Sequence, residues 1–274
     1  MGAMRRPPAV QRYRDAFVQR DLVQELEALI HRANPPLTTL DVDGWQLRSA
    51  RGLSPTANSV WPRATRGRLP LAARVEQVER FYANRRLAPR FLVSPSADPG
   101  NLDLVLAGAG YTATAPVEVR TARVERLADV DAAARGVTLS TAPAPSWLHA
   151  WARLAGQAEE VLDTAGALLG GVAAEQAFAH LHDVGAVVAV ARGVCYGGWL
   201  GVDYLSTAPA WRTAATGRAL LGALARWAAG HEAEQAYCAV DTADPAARQL
   251  IDGAGWRRAY SYRFRVHPLP PARG

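Results

Sequence analysis

Lysine is absent from the 274-residue sequence, so all 31 basic side chains are arginine. The simplest explanation is a GC-rich genome, which carries no structural meaning. The net charge is +6, yet the arginines are spread along the chain and are not gathered in a tail. This distribution argues against a nucleic-acid partner, because nucleic-acid-binding modules show a basic stripe on a recognisable motif. A basic surface still suits a small anionic ligand.

Cysteine and long apolar runs are also scarce. The two cysteines, Cys195 and Cys238, make neither a disulfide framework nor a zinc site. No apolar run approaches the roughly 20 residues that a membrane span needs. The basic N-terminus has no apolar segment of the kind found in signal peptides. We therefore expect no membrane partner, no metal and a cytoplasmic location.

Material for a buried core is plentiful, since 49% of the residues are hydrophobic and 8 are tryptophan. At roughly 150 residues per domain, the length predicts two domains. The composition changes within residues 116–128, and we place the domains at 1–120 and 121–274.

The apolar pattern predicts helices and strands in both halves. Predicted helices cover Tyr13–His31, Leu71–Asn84, Leu102–Ala109, Ser146–Leu154, Ala158–Leu169, Gly217–Ala229 and Pro245–Asp252. Predicted strands cover Gly44–Ser49, Phe91–Val93, Pro116–Thr121, Glu175–Leu181, Ala186–Arg192, Trp199–Thr207, Ala236–Val240 and Tyr260–Val266.

The two halves also share a weak sequence repeat. Leu106–Tyr111 reads L-A-G-A-G-Y, and Ile251–Trp256 reads I-D-G-A-G-W. Each follows a short apolar strand. The match is either chance in an Ala/Gly-rich chain or the trace of two copies of one fold.

The segment Leu205–Ala219 carries the strongest chemical signal. A strand leads into a proline, an arginine, the small-residue loop Thr213–Gly217 and an amphipathic helix. Small residues let backbone N–H groups approach a ligand closely, and the start of a helix leaves N–H groups without partners. Arg212 and Arg218 add positive charge. We interpret this segment as a cradle for an anion.

These residues resemble the GNAT N-acetyltransferase superfamily. Its loop motif R/Q-x-x-G-x-G/A, preceded by L-x-V-x-P, matches Leu205, Thr207, Pro209, Arg212, Ala215 and Gly217. Its downstream motif matches Val240, Asp244, Ala247, Leu250, Ile251, Gly255 and Trp256 at the same spacing. The motifs cover about residues 124–274, and the N-terminal half resembles a degenerate second copy.

The resemblance implies a mixed α/β fold of two GNAT-like domains, each a mostly antiparallel twisted sheet flanked by helices. It implies acetyl-CoA as co-substrate, held where the domain's fourth and fifth strands splay apart. A bulge in the fourth strand would free amides at Leu205, Ser206 and Thr207 for the thioester and the pantetheine arm. The pyrophosphate would lie on Arg212, Thr213, Ala214, Ala215, Thr216, Gly217 and Arg218.

Two departures from the family pattern leave roles open. Asp244 replaces an asparagine that contacts the cofactor region, and its alternative role is to cap the helix that begins at Pro245. Ile251 replaces the tyrosine that protonates the leaving thiolate. Tyr260 or Tyr262 could substitute for it, or both could be core or surface aromatics. Asp203 is the candidate general base, with an ordinary arginine-paired aspartate as the alternative.

The leading hypothesis is an N-acetyltransferase that acts on the primary amine of a small molecule. The alternatives are an inactive acyl-CoA-binding sensor or scaffold, and a protein N-acetyltransferase. Modification of its own lysines is excluded, because it has none. The N-terminal copy lacks the cradle and is expected to bind no second acetyl-CoA. It would serve as cover or as a wall of the acceptor site, in a monomer or a homodimer.

Overall fold

Helices and strands alternate along the computed structural model, which describes residues 9–63, 67–129, 136–252 and 255–268. The helices are α1 (Ala9–Ala33), α2 (Leu71–Ala83), α3 (Leu102–Gly108), α4 (Val124–Ala128), α5 (Pro145–Leu154), α6 (Leu162–Gly170), α7 (Ala214–Ala229) and α8 (Pro245–Ile251). The strands are β1 (Thr38–Val42), β2 (Trp45–Ser49), β3 (Val60–Trp61), β4 (Arg90–Val93), β5 (Thr112–Ala113), β6 (Val117–Arg123), β7 (Val137–Ser140), β8 (Glu175–Asp183), β9 (Ala186–Tyr196), β10 (Trp199–Thr207), β11 (Gln235–Asp241) and β12 (Arg257–Val266).

These strands form one continuous sheet in the order β1-β2-β3-β4-β12-β6-β11-β10-β9-β8-β7, and β5 pairs with β12. Most neighbours are antiparallel, whereas β3–β4 and β10–β11 are parallel. We call β1–β5 with α2 and α3 the N-terminal lobe, and β6–β11 with α4–α8 the C-terminal lobe. The mixed, mostly antiparallel sheet with flanking helices confirms the predicted fold class.

Strand β12 joins the lobes. Its residues 257–262 pair with β6 and its residues 263–266 pair with β4. The predicted boundary after residue 120 falls inside β6, which pairs with β11 along its whole length. The chain passes from one lobe to the other at residues 114–116, just before the composition changes. The last strand then returns to the N-terminal lobe, a long-range pairing that local composition does not report.

The two lobes repeat one order of elements. The series β3-α2-β4-α3-β5 has the same order as β10-α7-β11-α8-β12, and each series contains the lobe's parallel strand pair. The sequence repeat lies at the same point of both series. Its second glycines, Gly110 and Gly255, have φ of +86° and +78°, a conformation that glycine adopts without strain. An ancestral duplication remains a prediction that this order favours.

Four larger apolar clusters lie against the described helices. α7 packs on one face of the C-terminal lobe through residues that include Leu220, Leu221 and Leu224. α5 and α6 pack elsewhere in this lobe, around Trp147 and Phe178. α1 packs on a cluster that contains residues of both lobes and of β12, so it covers the junction. The fourth cluster lies inside the N-terminal lobe.

One predicted boundary is wrong in a way that matters for the site. α7 begins at Ala214, so the predicted loop Thr213–Gly217 is the capped first turn of a helix. Thr213 is the N-cap, and its hydroxyl accepts a hydrogen bond from the amide of Thr216 at 3.2 Å. Gly217 suggested a loop because glycine is a poor helix former, but tertiary packing overrides that preference. None of the described helices combines the length and apolarity that a bilayer crossing requires.

Candidate active site

The parallel strands β10 and β11 separate at the centre of the C-terminal lobe. They pair from Trp199↔Gln235 to Val202↔Cys238 and no further, although β10 continues to Thr207 and β11 to Asp241. The predicted splay between these strands is therefore present. It leaves a gap in the sheet, lined by backbone on both sides.

A bulge in β10 lies beside this gap. Its register against β9 shifts between Asp203 and Ser206, so Tyr204 and Leu205 have no partner residue on either neighbouring strand. Tyr204 has a φ of +52°, which is strained for a non-glycine residue and typical of functional sites. The predicted bulge thus lies one residue earlier than Leu205–Thr207.

Backbone alternation decides which amides face the gap. The amide of Ala208 donates to the carbonyl of Val188 at 2.8 Å, so this pair belongs to the hydrogen-bonded set of the antiparallel ladder. By alternation, Ser206 bonds to β9 and the amide of Thr207 points away from β9. Of the predicted segment, the amide of Ser206 is therefore occupied and that of Thr207 faces the gap, whereas Leu205 lies in the bulge, where neither neighbouring strand pairs with it.

The N-terminus of α7 lies directly after β10. The amides of Thr213, Thr216 and Gly217 already donate to Trp211, to the Thr213 hydroxyl and to the Thr213 carbonyl. Within the described chain, the amides of Ala214 and Ala215 have no acceptor. The anion cradle thus has fewer free amides than predicted. It consists of two free amides at the positive end of a helix dipole.

Gly217 serves packing and not ligand approach. A Cβ built on it would lie 2.7 Å from the carbonyl carbon of Leu250 and closer still to the carbonyl oxygen, so α8 can touch α7 only where this side chain is missing. Asp244 caps α8, with one carboxylate oxygen accepting from the amides of Ala246 and Ala247 at 2.9 and 3.0 Å. The capping alternative is therefore confirmed.

Arginines surround the start of α7. Arg212 is exposed and Arg218 half-buried. A surface hollow beside Ala214 is lined by Arg248 of α8, which the sequence reasoning missed. The sequence could have indicated Arg248, because α8 follows β11, the strand that flanks the gap. These cations favour a negatively charged group at the cradle.

A cavity of about 440 Å³ opens on the gap from the side covered by α1 and α5. Both lobes contribute to its lining. β10 and β11 supply Asp203, Tyr204, Tyr237 and Asp241; the N-terminal lobe supplies Ser54, Thr56 and Arg90; the remaining lining residues include Asn34, Trp151, Tyr262 and Phe264. The cavity lining thus combines aromatic and aliphatic side chains with several polar and charged groups.

Asp203 faces this cavity but is already paired. Its carboxylate accepts from Nε of Arg192 at 2.7 Å and from Nη2 of the same guanidinium. Arg192 is 1% exposed, so Asp203 neutralises a charge that has no access to water. Asn34 donates to the same carboxylate at 3.3 Å. The arginine-paired alternative is confirmed.

Buried arginines also fix the end of α1. Arg192 donates to the carbonyl of Ala33 at 2.9 Å, and Arg48 of the N-terminal lobe donates to the carbonyls of His31 and Asn34. Positive charge at the C-terminus of a helix is favourable, and these carbonyls have no intrahelical partners. One arginine from each lobe thus holds Asn34 in the cavity wall.

The predicted acid candidates separate in space. Tyr262 lines the cavity, whereas Tyr260 does not. Both are 5% exposed and belong to the cluster under α1, which confirms the core interpretation of both side chains. Burial raises the pKa of both phenols, so each is neutral at physiological pH.

Tyr204 lines the cavity but is not among the site residues predicted from the sequence. Its ring packs against Trp147 and Trp151, and the Arg192 guanidinium lies 4.9 Å from the ring centroid. Burial raises the pKa of Tyr204 to about 12, so its hydroxyl remains protonated. A bulge residue can be found only once strand register is known.

Other reactive side chains lie away from the cavity. His180 and His182 contact each other on β8 and do not line it. Burial raises the pKa of the Cys195 and Cys238 thiols to about 12, so neither is an activated nucleophile. Among the residues that the structure describes, no three potential metal ligands come together.

Comparisons with known proteins agree with this geometry. The structure is similar to a GCN5-related N-acetyltransferase from Kribbella flavida, with TM-score 0.63, 16% identity and coverage of 91% of this chain and 95% of that one. It is similar to a tandem GNAT protein from the clavulanic acid biosynthesis pathway, with TM-score 0.56, 15% identity and coverage of 73% and 70%. For a GCN5-related N-acetyltransferase from Sphaerobacter thermophilus the values are 0.54, 16%, 73% and 68%.

No curated protein matches the sequence. A family model described as "Probable histone acetyltransferase Rv0428c C-terminal" matches residues 22–265, which is most of the chain. The chain therefore belongs to this family, and its fold is that of the GNAT proteins to which it is similar.

Proposed function

We propose that the protein transfers an acetyl group from acetyl-CoA to a primary amine, with both substrates bound at once. The observation that carries the proposal is the gap between β10 and β11, flanked by the Tyr204–Leu205 bulge and followed by the free amides of Ala214 and Ala215. These backbone donors follow one another along the end of β10 and the first turn of α7, where a bound ligand can accept from them.

Each part of this path has a role in the proposal. The amides of Ala214 and Ala215 bind the pyrophosphate, since a helix N-terminus favours anions. The backbone of Leu205 and Thr207 holds the pantetheine arm and the thioester carbonyl. The amine attacks the carbonyl carbon, the C–S bond breaks, and CoA leaves as the thiol after a proton passes from the amine. Donors on the developing oxyanion contribute about 3 kcal/mol each in such sites.

The proton transfers need groups other than Asp203, which is held by Arg192. The neutral phenol of Tyr204 lines the cavity beside the bulge; it can donate its proton to the leaving sulfur and regain one from the attacking nitrogen, which returns it to the neutral form. We propose it in place of Tyr260, which lies outside the cavity.

The acceptor in this proposal is a small molecule. The cavity is bordered by the end of α1, by α5 and by residues 53–56 of the N-terminal lobe. Its volume of about 440 Å³ lies in the range of small-ligand sites. The N-terminal lobe thus supplies a wall, and Asn58 braces it by accepting from the amides of Ala50 and Gly52 at 2.7 and 2.9 Å.

A second candidate is a protein acceptor, which is favoured because the chain's family is described as a probable histone acetyltransferase. The two candidates differ in the size of substrate that reaches the gap. A panel of small amines and a panel of amine-bearing peptides, assayed side by side for release of free CoA thiol, separates them.

The test begins with calorimetric titration of the purified protein with acetyl-CoA, followed by the thiol-release assay. The proposal predicts saturable binding and acceptor-dependent release with small amines. Binding without release from any amine would identify an inactive acyl-CoA-binding protein. A folded sample that takes up no acetyl-CoA at millimolar concentration would overturn the proposal.

A further inference from the structure

We propose that Arg90 binds an acidic group of the acceptor, so that the substrate is an amine that also carries a carboxylate or a similar oxyanion. This inference rests on the proposed function and narrows its substrate class. It starts from a charge in the cavity that the rest of the molecule leaves uncompensated.

Arg90 is the first residue of β4 and lines the cavity from the N-terminal lobe. Its guanidinium lies 5.5 Å from the ring centroid of Phe264. The buried Nε has no hydrogen-bond partner, and no carboxylate of the described ranges forms an ion pair with this side chain. This half-buried guanidinium therefore has no counter-ion among the described residues.

The other buried arginines around the cavity differ from Arg90. Arg192 has Asp203 as its counter-ion, and Arg48 donates to carbonyls at the end of α1. A guanidinium that is partly withdrawn from water without such partners is unfavourable, and burial lowers the pKa of Arg90 accordingly. An oxyanion would supply the missing partner, because the guanidinium fork can hold two of its oxygens at once.

The opposite end of the cavity carries negative charge. Asp241 lines it from β11, at the gap where the thioester is proposed to lie, whereas the neighbouring Asp203 on β10 is neutralised by Arg192. Within the described ranges, Oδ1 of Asp241 accepts from the amide of Ala243 and Oδ2 accepts no hydrogen bond. An ammonium group is thus attracted to the gap and an acidic group to Arg90.

The sheet order sets the length of the molecule that fits. β12 and β6 lie between β4 and β11, so three strand spacings, about 14 Å, separate the two ends across the sheet. They are also offset along the strands, because Arg90 pairs with Val266 whereas Asp241 lies level with Tyr262, four residues earlier on β12. The arginine side chain spans part of this distance. The spacing therefore favours an acceptor whose amine and acidic group lie at opposite ends. An acceptor that carries both groups on one carbon would be too short. Aromatic side chains such as Tyr262 and Phe264 lie along the way and suit an apolar body.

Matched acceptors test the inference. The probes are 4-(aminomethyl)benzoate, its phosphonate analogue, its neutral carboxamide and the matching set built on 6-aminohexanoate. We expect kcat/KM for the acids to exceed that for the amides by about tenfold or more, the effect of one charge-assisted hydrogen bond. The ratio between carboxylate and phosphonate then identifies the preferred acid.

Variants assign the effect to Arg90. Arg90→Gln is expected to remove most of the preference for acids and to leave the amides unchanged, whereas Arg90→Lys keeps part of the preference. Arg80→Gln, which changes an exposed arginine on α2, is the control and should behave as the unaltered protein. No preference for acids, a preference that survives Arg90→Gln, or no reaction with any probe would each overturn the inference. Titration of the same samples with acetyl-CoA shows separately whether the proposed function stands.

Discussion

The position of Asp203 beside the gap could be predicted from the sequence, but its pairing with Arg192 could not. Its position on β10 beside the gap suits a general base, and it does face the cavity. The sequence could not show that Arg192, eleven positions earlier, lies opposite it on β9. Cross-strand pairing makes Asp203 the counter-ion of a fully buried charge, and removing one member of such a pair leaves the other uncompensated.

Asp203→Asn is accordingly expected to lower the free energy of unfolding by about 3 kcal/mol, measured by urea denaturation. Asp183→Asn, at the exposed end of β8, is the matched control and should stay within about 0.5 kcal/mol of the unaltered protein. An Asp203→Asn protein of full stability whose kcat has collapsed would show instead that the carboxylate acts as a base.

Glu27 offers a second test at this scale. Its Oε2 accepts from Ser96 at 2.6 Å and from Trp61 at 3.1 Å, while Oε1 has no partner among the described residues. Burial raises the pKa of Glu27 above its usual value of 4.5, an effect that hydrogen bonds from Ser94, Ser96 and Trp61 partly offset.

A raised pKa means that the folded state favours the protonated carboxyl. Its contribution to stability is present below the unfolded pKa and is lost as the pH rises through the folded pKa. Glu27→Gln should therefore gain stability relative to the unaltered protein between about pH 4 and pH 7.5, as measured by urea unfolding. Glu76→Gln, exposed on α2, should show no such trend. A difference that is constant over this range would contradict the argument.

At the scale of elements, the contact between α7 and α8 explains Gly217 better than ligand binding does. The family motif identified the position, but only the structure shows that the carbonyl of Leu250 occupies the place of a side chain. α8 lies beside the start of α7, so this contact also shapes the hollow that contains Arg248.

Gly217→Ala is expected to cost about 2 kcal/mol or more in the free energy of unfolding, because backbone must move to admit the methyl group. Gly166→Ala in α6 is the control. The nearest atom to its Cβ is the Leu148 Cδ1, at 3.7 Å, so this change should be neutral or stabilising by about 0.5 kcal/mol. Equal effects of the two substitutions would contradict the packing role.

Most helices and strands near the site could be predicted from the sequence. Features that depend on contacts between distant residues could not. Strands β8–β11 were predicted because apolar alternation is local. The start of α7 was missed because Gly217 and Thr216 suggest a loop until the Thr213 cap is seen. Strand β1 was missed because four of its five residues are exposed, which leaves little hydrophobic signal. Arg90 was missed because its proposed role depends on which groups the fold brings near its guanidinium, and local sequence does not report this.

At the scale of the whole molecule, β12 ties the lobes together. Strand β4 belongs to the N-terminal lobe, but the strand that pairs with one of its edges is β12, which comes from the end of the chain. α1 covers the junction through residues of both lobes. The two halves therefore resemble tandem copies in their order of elements but share one sheet.

This arrangement predicts a single cooperative unfolding transition, with equal calorimetric and van't Hoff enthalpies. A fragment of residues 1–115, which lacks β12, is expected to be unfolded by circular dichroism under conditions where the full chain is native. Two separate transitions, or a folded fragment, would show that the lobes are independent domains.

The most direct measurement is a crystal structure of the protein grown with acetyl-CoA. The account predicts the pyrophosphate on the amides of Ala214 and Ala215, the pantetheine arm between β10 and β11, and the thioester carbonyl within hydrogen-bonding distance of the Tyr204–Leu205 bulge. A ligand bound elsewhere, with the gap between the two strands still open, would contradict it.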